Sequence, residues 1–283
     1  MNSHMEATDK TQSDTFKGIN PLTAPALYSR HFGAKREDTI TTVNRDGQLM
    51  KLEMLSHLDD PKSGFYGDVM IDKATGHAII LYKGMDVPLR NEGNGRTGFL
   101  RDAFVAAQTW FTGARNMQTP FAEKLYLDTR KNPDVKSVEV IGFSLGTLHA
   151  NYIAAKYGVP ATVLADLGIG DKGLRSIFNK SAANDAEIAE KNLKNNLTVL
   201  RMGMDMVPLF GAGPHRGTVI DLDTGRAPDA SGITHLASIY NKKAQNILAE
   251  PAPRPAPVAA DSLQTTVLKT IEKSQLQFTG MAI

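Results

Sequence analysis

The stretch Gly142-Phe143-Ser144-Leu145-Gly146 constrains this chain more than any other, because it sets a serine between two glycines where one hydrophobic period gives way to another. Before it, Val138, Val140 and Ile141 form the apolar run of a buried strand; after it, residues 147–157 read as a helix. A G-x-S-x-G on a strand–turn–helix lifts the hydroxyl above the sheet, and glycine permits the tight backbone that this turn needs. Ser144 is therefore the candidate nucleophile.

Composition narrows the classes. With 283 residues the chain can bury a sizeable core as one α/β domain. Lys plus Arg number 32 against 30 for Asp plus Glu, a formal charge of +2, with the signs mixed and no basic block to track a phosphate backbone. No nucleic-acid partner is expected. The absence of cysteine removes disulfides, thiolate catalysis and Cys-type zinc sites, and leaves the compartment open. His31, His57 and His77 show no metal-ligand spacing with carboxylates, so neither metal nor cofactor is expected. No apolar run nears the ~20 residues needed to span a bilayer, and the first residues lack the charged-then-apolar order of a signal peptide. A soluble chain is expected, cytoplasmic or exported by a dedicated machine. Asn2-Ser3-His4 ahead of Met5 reads as an appended leader and carries no weight.

Four stretches follow from the pattern. Residues 1–17 are polar and expected to be loose; 18–249 form the folded body; 250–260 are a Pro/Ala-rich linker; and 261–283 hold a C-terminal amphipathic helix and tail. In that helix Leu263, Val267 and Ile271 share a face that would dock on the body, with a partner or a membrane surface as alternatives. Within the body, Ala24-Pro25-Ala26-Leu27-Tyr28 opens a helix. Residues 65–71 and 77–82 make a hairpin around a turn at 72–76. Residues 87–98 are a loop, 99–121 an amphipathic helix marked by Phe99, Phe104, Trp110 and Phe111, and 121–129 a further helical stretch. Short apolar runs at 161–165 and 197–201 read as strands with helical segments between and beyond. Strands alternating with helices imply a mostly parallel sheet flanked by helices.

A serine hydroxyl needs a histidine to take its proton and an acid to orient that histidine. Asp205 follows the strand 197–201, just ahead of Val207-Pro208; His235 opens a helix-like run after Gly232. Asp166, after another strand, and His215 remain alternatives. His149, on the helix behind the serine, reads as a packing residue. The oxyanion formed by attack on a carbonyl needs N–H donors, each worth about 2.7–4 kcal/mol. One is the Leu145 amide at the helix start. The loop after the strand 79–82 would supply the other from Met85, with Gly84 permitting the close turn.

These segments together resemble the class 3 (fungal-type) lipases, in particular the bacterial lipase-like branch. The family's hairpin ends in a pattern matched by Thr75-Gly76-His77-Ala78-Ile79-Ile80-Leu81-Tyr82-Lys83-Gly84-Met85, its G-H-S-L-G-G by Gly142 to Thr147, and its D-x-V-P by Asp205-Met206-Val207-Pro208. His235 is similar in placement to the family's closing histidine. The resemblance implies an α/β-hydrolase fold and hydrolysis of lipid esters by Ser144, His235 and Asp205. It also implies a lid over 87–98 whose Arg90 and Arg96 would meet anionic headgroups, which favours phospholipids, and export as a bacterial effector. Gly84 and Phe143 would border the substrate. Three positions depart from the family: Phe143 replaces a histidine, Thr147 a second glycine, and Met85 a threonine whose hydroxyl assists the oxyanion. A non-catalytic binding protein of this fold, and an esterase or thioesterase for small soluble acyl groups, stand as alternatives.

Overall fold

The computed structural model describes residues 18–32, 36–84, 116–177, 183–202, 213–223 and 237–249. A 3-10 turn at Pro21–Thr23, capped by the Asn20 side chain, leads into α1 (Ala24–His31). Four strands follow: β1 (Thr39–Val43), β2 (Leu49–Asp60), β3 (Phe65–Asp72) and β4 (His77–Tyr82). Then come α2 (Thr119–Lys131), β5 (Ser137–Phe143), α3 (Gly146–Tyr157), β6 (Ala161–Leu164), α4 (Asp171–Ile177) and α5 (Ala183–Asn196). The last described elements are β7 (Leu197–Met202), β8 (Thr218–Asp223) and α6 (Ala237–Ala249).

The strands form one eight-stranded sheet in chain order. β1 to β4 are antiparallel neighbours, and β4 to β8 pair in parallel. The expected parallel arrangement thus runs from β4 to β8, and the expected hairpin is the second half of a four-stranded meander. Its turn forms because Asp72 accepts Gly76 N–H at its carbonyl (2.8 Å) and Thr75 Oγ1 at its carboxylate (2.7 Å), with Gly76 at φ +73°. Sequence pattern passed over β1 and β2. Their inward residues are few, Ile40, Thr42, Met50 and Leu52, and a bulge between Met54 and Ser56 breaks the alternation midway.

Parallel neighbours joined in chain order by right-handed crossovers put their helices on one face of the sheet. The core divides accordingly. On one face Ala78, Ile80, Val138, Val140, Val163 and Val199 pack under α2, α3, α4 and α5; on the other Ile79, Leu81, Ile141, Leu164 and Leu200 pack under α1 and α6. β4 is buried along its whole length because both faces are covered. Each of the Val, Leu and Ile side chains among them contributes about 1.5–3 kcal/mol on burial. This is the mainly parallel sheet flanked by helices that the sequence pattern implied. Residues 261–283, and all but the last few of 99–121, lie outside the described residues. Among the described residues no helix is long and apolar enough to cross a membrane.

His149 is packed as the sequence suggested, on α3 between the rings of Phe65 (5.5 Å) and Tyr82 (5.8 Å). Its Nε2–H donates to Gln118 Oε1 at 2.9 Å, and Gln118 in turn donates to the Ser63 carbonyl at 2.8 Å. Nδ1 is buried without a partner, and burial pulls the imidazole pKa down from 6.5 to about 3. The unfolded chain therefore takes up a proton that the folded chain refuses as pH falls from 6.5 toward 3. Urea unfolding should show stability declining over that window, and His149→Gln should make the decline shallower by about 1.4 kcal/mol per pH unit. Parallel slopes in the two proteins would contradict this account.

Candidate active site

The Ser144 turn is set by steric exclusion. A Cβ on Gly142 would lie 2.5 Å from the Gly146 carbonyl oxygen and 2.8 Å from Thr147 Cα, and one on Gly146 would collide with the Tyr82 carbonyl of β4. Only glycine fits at either place, and the chain turns from β5 into α3 within the residues between. Ser144 itself adopts φ +52°, a left-handed conformation that costs a non-glycine residue energy and recurs at functional sites. Its N–H donates to the Leu164 carbonyl at 3.0 Å, and its carbonyl accepts Thr147 N–H at 2.9 Å.

Leu145 caps the N-terminus of α3, where its amide has no intrahelical acceptor and the helix dipole favours negative charge. Gly84 stands against the same turn: a Cβ there would be 2.8 Å from the Phe143 carbonyl and 3.3 Å from Ser144 Cβ. The loop leaving β4 therefore begins directly beside the serine. Gly84 N–H donates to Tyr28 Oη at 2.8 Å, and the Tyr28 ring lies 5.3 Å from that of Phe143. α1 is fixed in turn by a fully buried pair, His31 Nε2 to Asp68 Oδ2 at 2.7 Å. An aromatic wall extends from the turn through Phe143, Tyr28, Phe32 and Tyr66, with successive ring centroids 5.3, 4.8 and 6.1 Å apart. From α6, Tyr240 meets Phe143 at 6.0 Å.

Ser144, Leu145, Phe143 and Gly84 thus lie together at the C-terminal end of the parallel strands. Asp205, His235, Met85, Arg90 and Arg96 lie outside the described residues. The chain leaves β7 at Met202 shortly before Asp205 and enters α6 at Ala237 just after His235. The alternatives Asp166 and His215 do meet: His215 Nδ1–H donates to Asp166 Oδ2 at 2.9 Å, and Asn151 Nδ2 donates to Asp166 Oδ1 at 2.8 Å. Asn151 is two turns down α3, about 10 Å along the helix axis from the serine turn. The pair pins the loop after β6 to the segment entering β8, where Ile169 N–H also donates to the Pro214 carbonyl at 3.3 Å. Among the described residues no three His, Asp or Glu side chains converge to hold a metal.

Sequence reasoning missed Tyr28, Thr147, Asn151 and Ala165. Nothing local marks Tyr28, which reaches Gly84 across 56 residues. Thr147 was visible as a departure from glycine, but its partner was not. Ala165, buried beside Leu164, adopts φ +54°.

No protein-family model matches the chain, and no curated protein matches its sequence. Among solved structures the chain is similar to the Lip2 lipase of Yarrowia lipolytica at 12% identity, over 74% of this chain and 81% of that one, with a TM-score of 0.39. A triacylglycerol lipase of Penicillium expansum matches at 14% identity over 72% and 81%, TM-score 0.40. A triacylglycerol lipase whose catalytic centre is formed by a serine protease triad matches at 14% over 71% and 77%, TM-score 0.40.

Ala165→Gly should relieve the left-handed strain, worth about 1–2 kcal/mol, against a smaller penalty of about 0.4–1 kcal/mol from the greater entropy of the unfolded chain. A rise in the urea midpoint is the expected result. A fall would mean that the Ala165 methyl contributes more through packing than its backbone loses.

Proposed function

We propose that this chain is a serine hydrolase that cleaves carboxylic esters of lipids through an acyl-serine intermediate. The observation that carries the reading is Ser144 at φ +52° between two glycines that no other residue could replace, at the mouth of a parallel sheet. A strained serine on such a turn is what a nucleophile requires and what a capping or packing serine does not.

In the proposed reaction Ser144 Oγ attacks the ester carbonyl while His235 takes the hydroxyl proton and Asp205 holds His235 in the correct tautomer. The oxyanion is received by the Leu145 and Met85 amides. Collapse of the tetrahedral adduct breaks the C–O bond, and His235 returns the proton to the departing alcohol. Water, activated by the same histidine, then releases the acid and frees Ser144. The aromatic wall of Phe143, Tyr28, Phe32 and Tyr66 supports an acyl chain as the group beside the nucleophile, which favours lipid esters over small polar ones. Arg90 and Arg96 would favour anionic headgroups and hence phospholipids.

The buried Asp166–His215 pair is assigned to structure, because Asn151 holds its carboxylate well down α3. Fluorophosphonate labelling followed by peptide mapping should find Ser144, and turnover of p-nitrophenyl esters should vanish in Ser144→Ala. Asp205→Ala and His235→Ala should each lower kcat by about 10⁴-fold or more. His215→Ala should keep kcat within about threefold while lowering stability by about 1–3 kcal/mol as Asp166 loses its partner. Reversal of the two histidine results would reassign the base, and wild-type protein without label or turnover would leave a binding protein. With a medium-chain ester, a rate that climbs as substrate passes into micelles supports a lipase. A rate that saturates below that point identifies an esterase for soluble substrates.

A further inference from the structure

Thr147 is fully buried in the first turn of α3, at the position where the resembled family carries glycine. Its hydroxyl donates to the Ser144 carbonyl at 2.7 Å and accepts the Leu167 backbone N–H at 3.2 Å. The first contact alone is the ordinary bond that a threonine makes to the preceding turn. The second reaches across 20 residues to the loop that follows β6. The last residue of β6, where that loop begins, receives Ser144 N–H at the Leu164 carbonyl, 3.0 Å away. Both peptide groups of Ser144 are therefore tied to the short stretch where β6 ends and its loop begins, its N–H directly to Leu164 at the strand end and its carbonyl through the Thr147 hydroxyl to Leu167 in the loop.

We infer that Thr147 is a positioning residue for Ser144, a role that rests on the hydrolase reading. A left-handed serine persists only where its surroundings over-determine it, and the Thr147 bridge is one of those determinants. The loop at its far end is itself fixed, by Ala165 at φ +54° and by Asp166 bonded to Asn151 at 2.8 Å. Without the hydroxyl the turn keeps the Thr147 N–H to Ser144 carbonyl bond of 2.9 Å and loses its connection to Leu167. Ser144 Oγ then samples a wider range of positions. Attack depends on sub-ångström placement of the nucleophile, whereas substrate affinity rests on the aromatic wall, whose rings the Thr147 hydroxyl does not bond.

The test compares Thr147→Ser, Thr147→Val and Thr147→Ala in the full chain, reading kcat and KM on a soluble p-nitrophenyl ester, the fluorophosphonate labelling rate at Ser144, and the urea midpoint. Val and Ala should lower kcat and labelling about tenfold or more with KM within about twofold of wild type, and Ser should restore both. Folded Val or Ala protein with unchanged kcat and labelling overturns the inference. So does loss of folding in both with Ser intact, which would assign the hydroxyl to stability alone. Wild-type Ser144 without label or turnover is a different failure: it removes the hydrolase reading and this role with it, whereas a labelled wild type beside an equally reactive Val variant removes only the role of Thr147.

Discussion

The start of α3 lies so close to the carbonyl end of β4 that no side chain fits between them. Gly146 sits against the Tyr82 carbonyl, and Gly142 against Gly146 and Thr147. That proximity fixes the angle at which the chain leaves β5, and with it the conformation of Ser144. It also brings α3 down on the sheet, where Ala150, Ala154 and Ala155 continue the small-residue contact and the helix is buried almost throughout. The Leu145 amide aims out of the sheet because the helix begins there. Relaxing the contact would shift the helix, the amide and the serine as one body.

Residue types alone would have pointed elsewhere as well. Ser137 Oγ lies 2.8 Å from His77 Nδ1, and His77 Nε2 lies 3.3 Å from Glu139 Oε1, which is a serine, a histidine and an acid in a row. This row sits at the opposite end of β4 and β5, beneath the entering chain, where Ile19 N–H donates to the same Glu139 oxygen at 3.0 Å. Ser137 opens a regular strand, paired with His77 of β4, and its side chain is buried. The difference between the two serines is one of backbone. At Ser144 the backbone takes a left-handed turn at a helix N-terminus; at Ser137 the regular strand holds the hydroxyl in a hydrogen bond to His77.

What the sequence made legible follows the same division. Features whose cause is local could be read: the glycine pair around Ser144, the Asp72–Gly76 turn, the apolar run of β4, and the helix after Pro25. Features whose cause is a distant neighbour could not. β1 and β2 present few inward apolar residues because one edge of the sheet is only partly covered, so their pattern is faint. Tyr28 meets Gly84 across 56 residues, and Asp166 meets His215 across 49, with no composition to signal either pairing. The two acid–histidine candidates looked alike in sequence because both acids follow a strand. In the structure Asn151 on α3 bonds the Asp166 carboxylate, while Asp205 and His235 lie outside the described residues.

The polar cluster behind α1 shows how a stability cost can serve the site. His31 Nδ1 lies 3.0 Å from the Glu37 carbonyl oxygen and Nε2 2.7 Å from Asp68 Oδ2, with the His31 and Asp68 side chains fully buried. The Arg36 guanidinium lies 3.3 Å from the same Asp68 oxygen, while Asp68 Oδ1 is buried without a hydrogen-bond partner. A buried pair with one oxygen left unbonded is a poor source of stability, since the desolvation of its charges is only partly recovered. An apolar pair of similar volume would hold α1 to β3 at least as tightly. It would not fix the helix in one rotation, because apolar contacts are tolerant of sliding and hydrogen bonds are not. Tyr28 is one turn back from His31, and its hydroxyl must meet the Gly84 amide within a few tenths of an ångström to hold the loop beside Ser144. A directional anchor that stabilises weakly is therefore what this part of the fold requires.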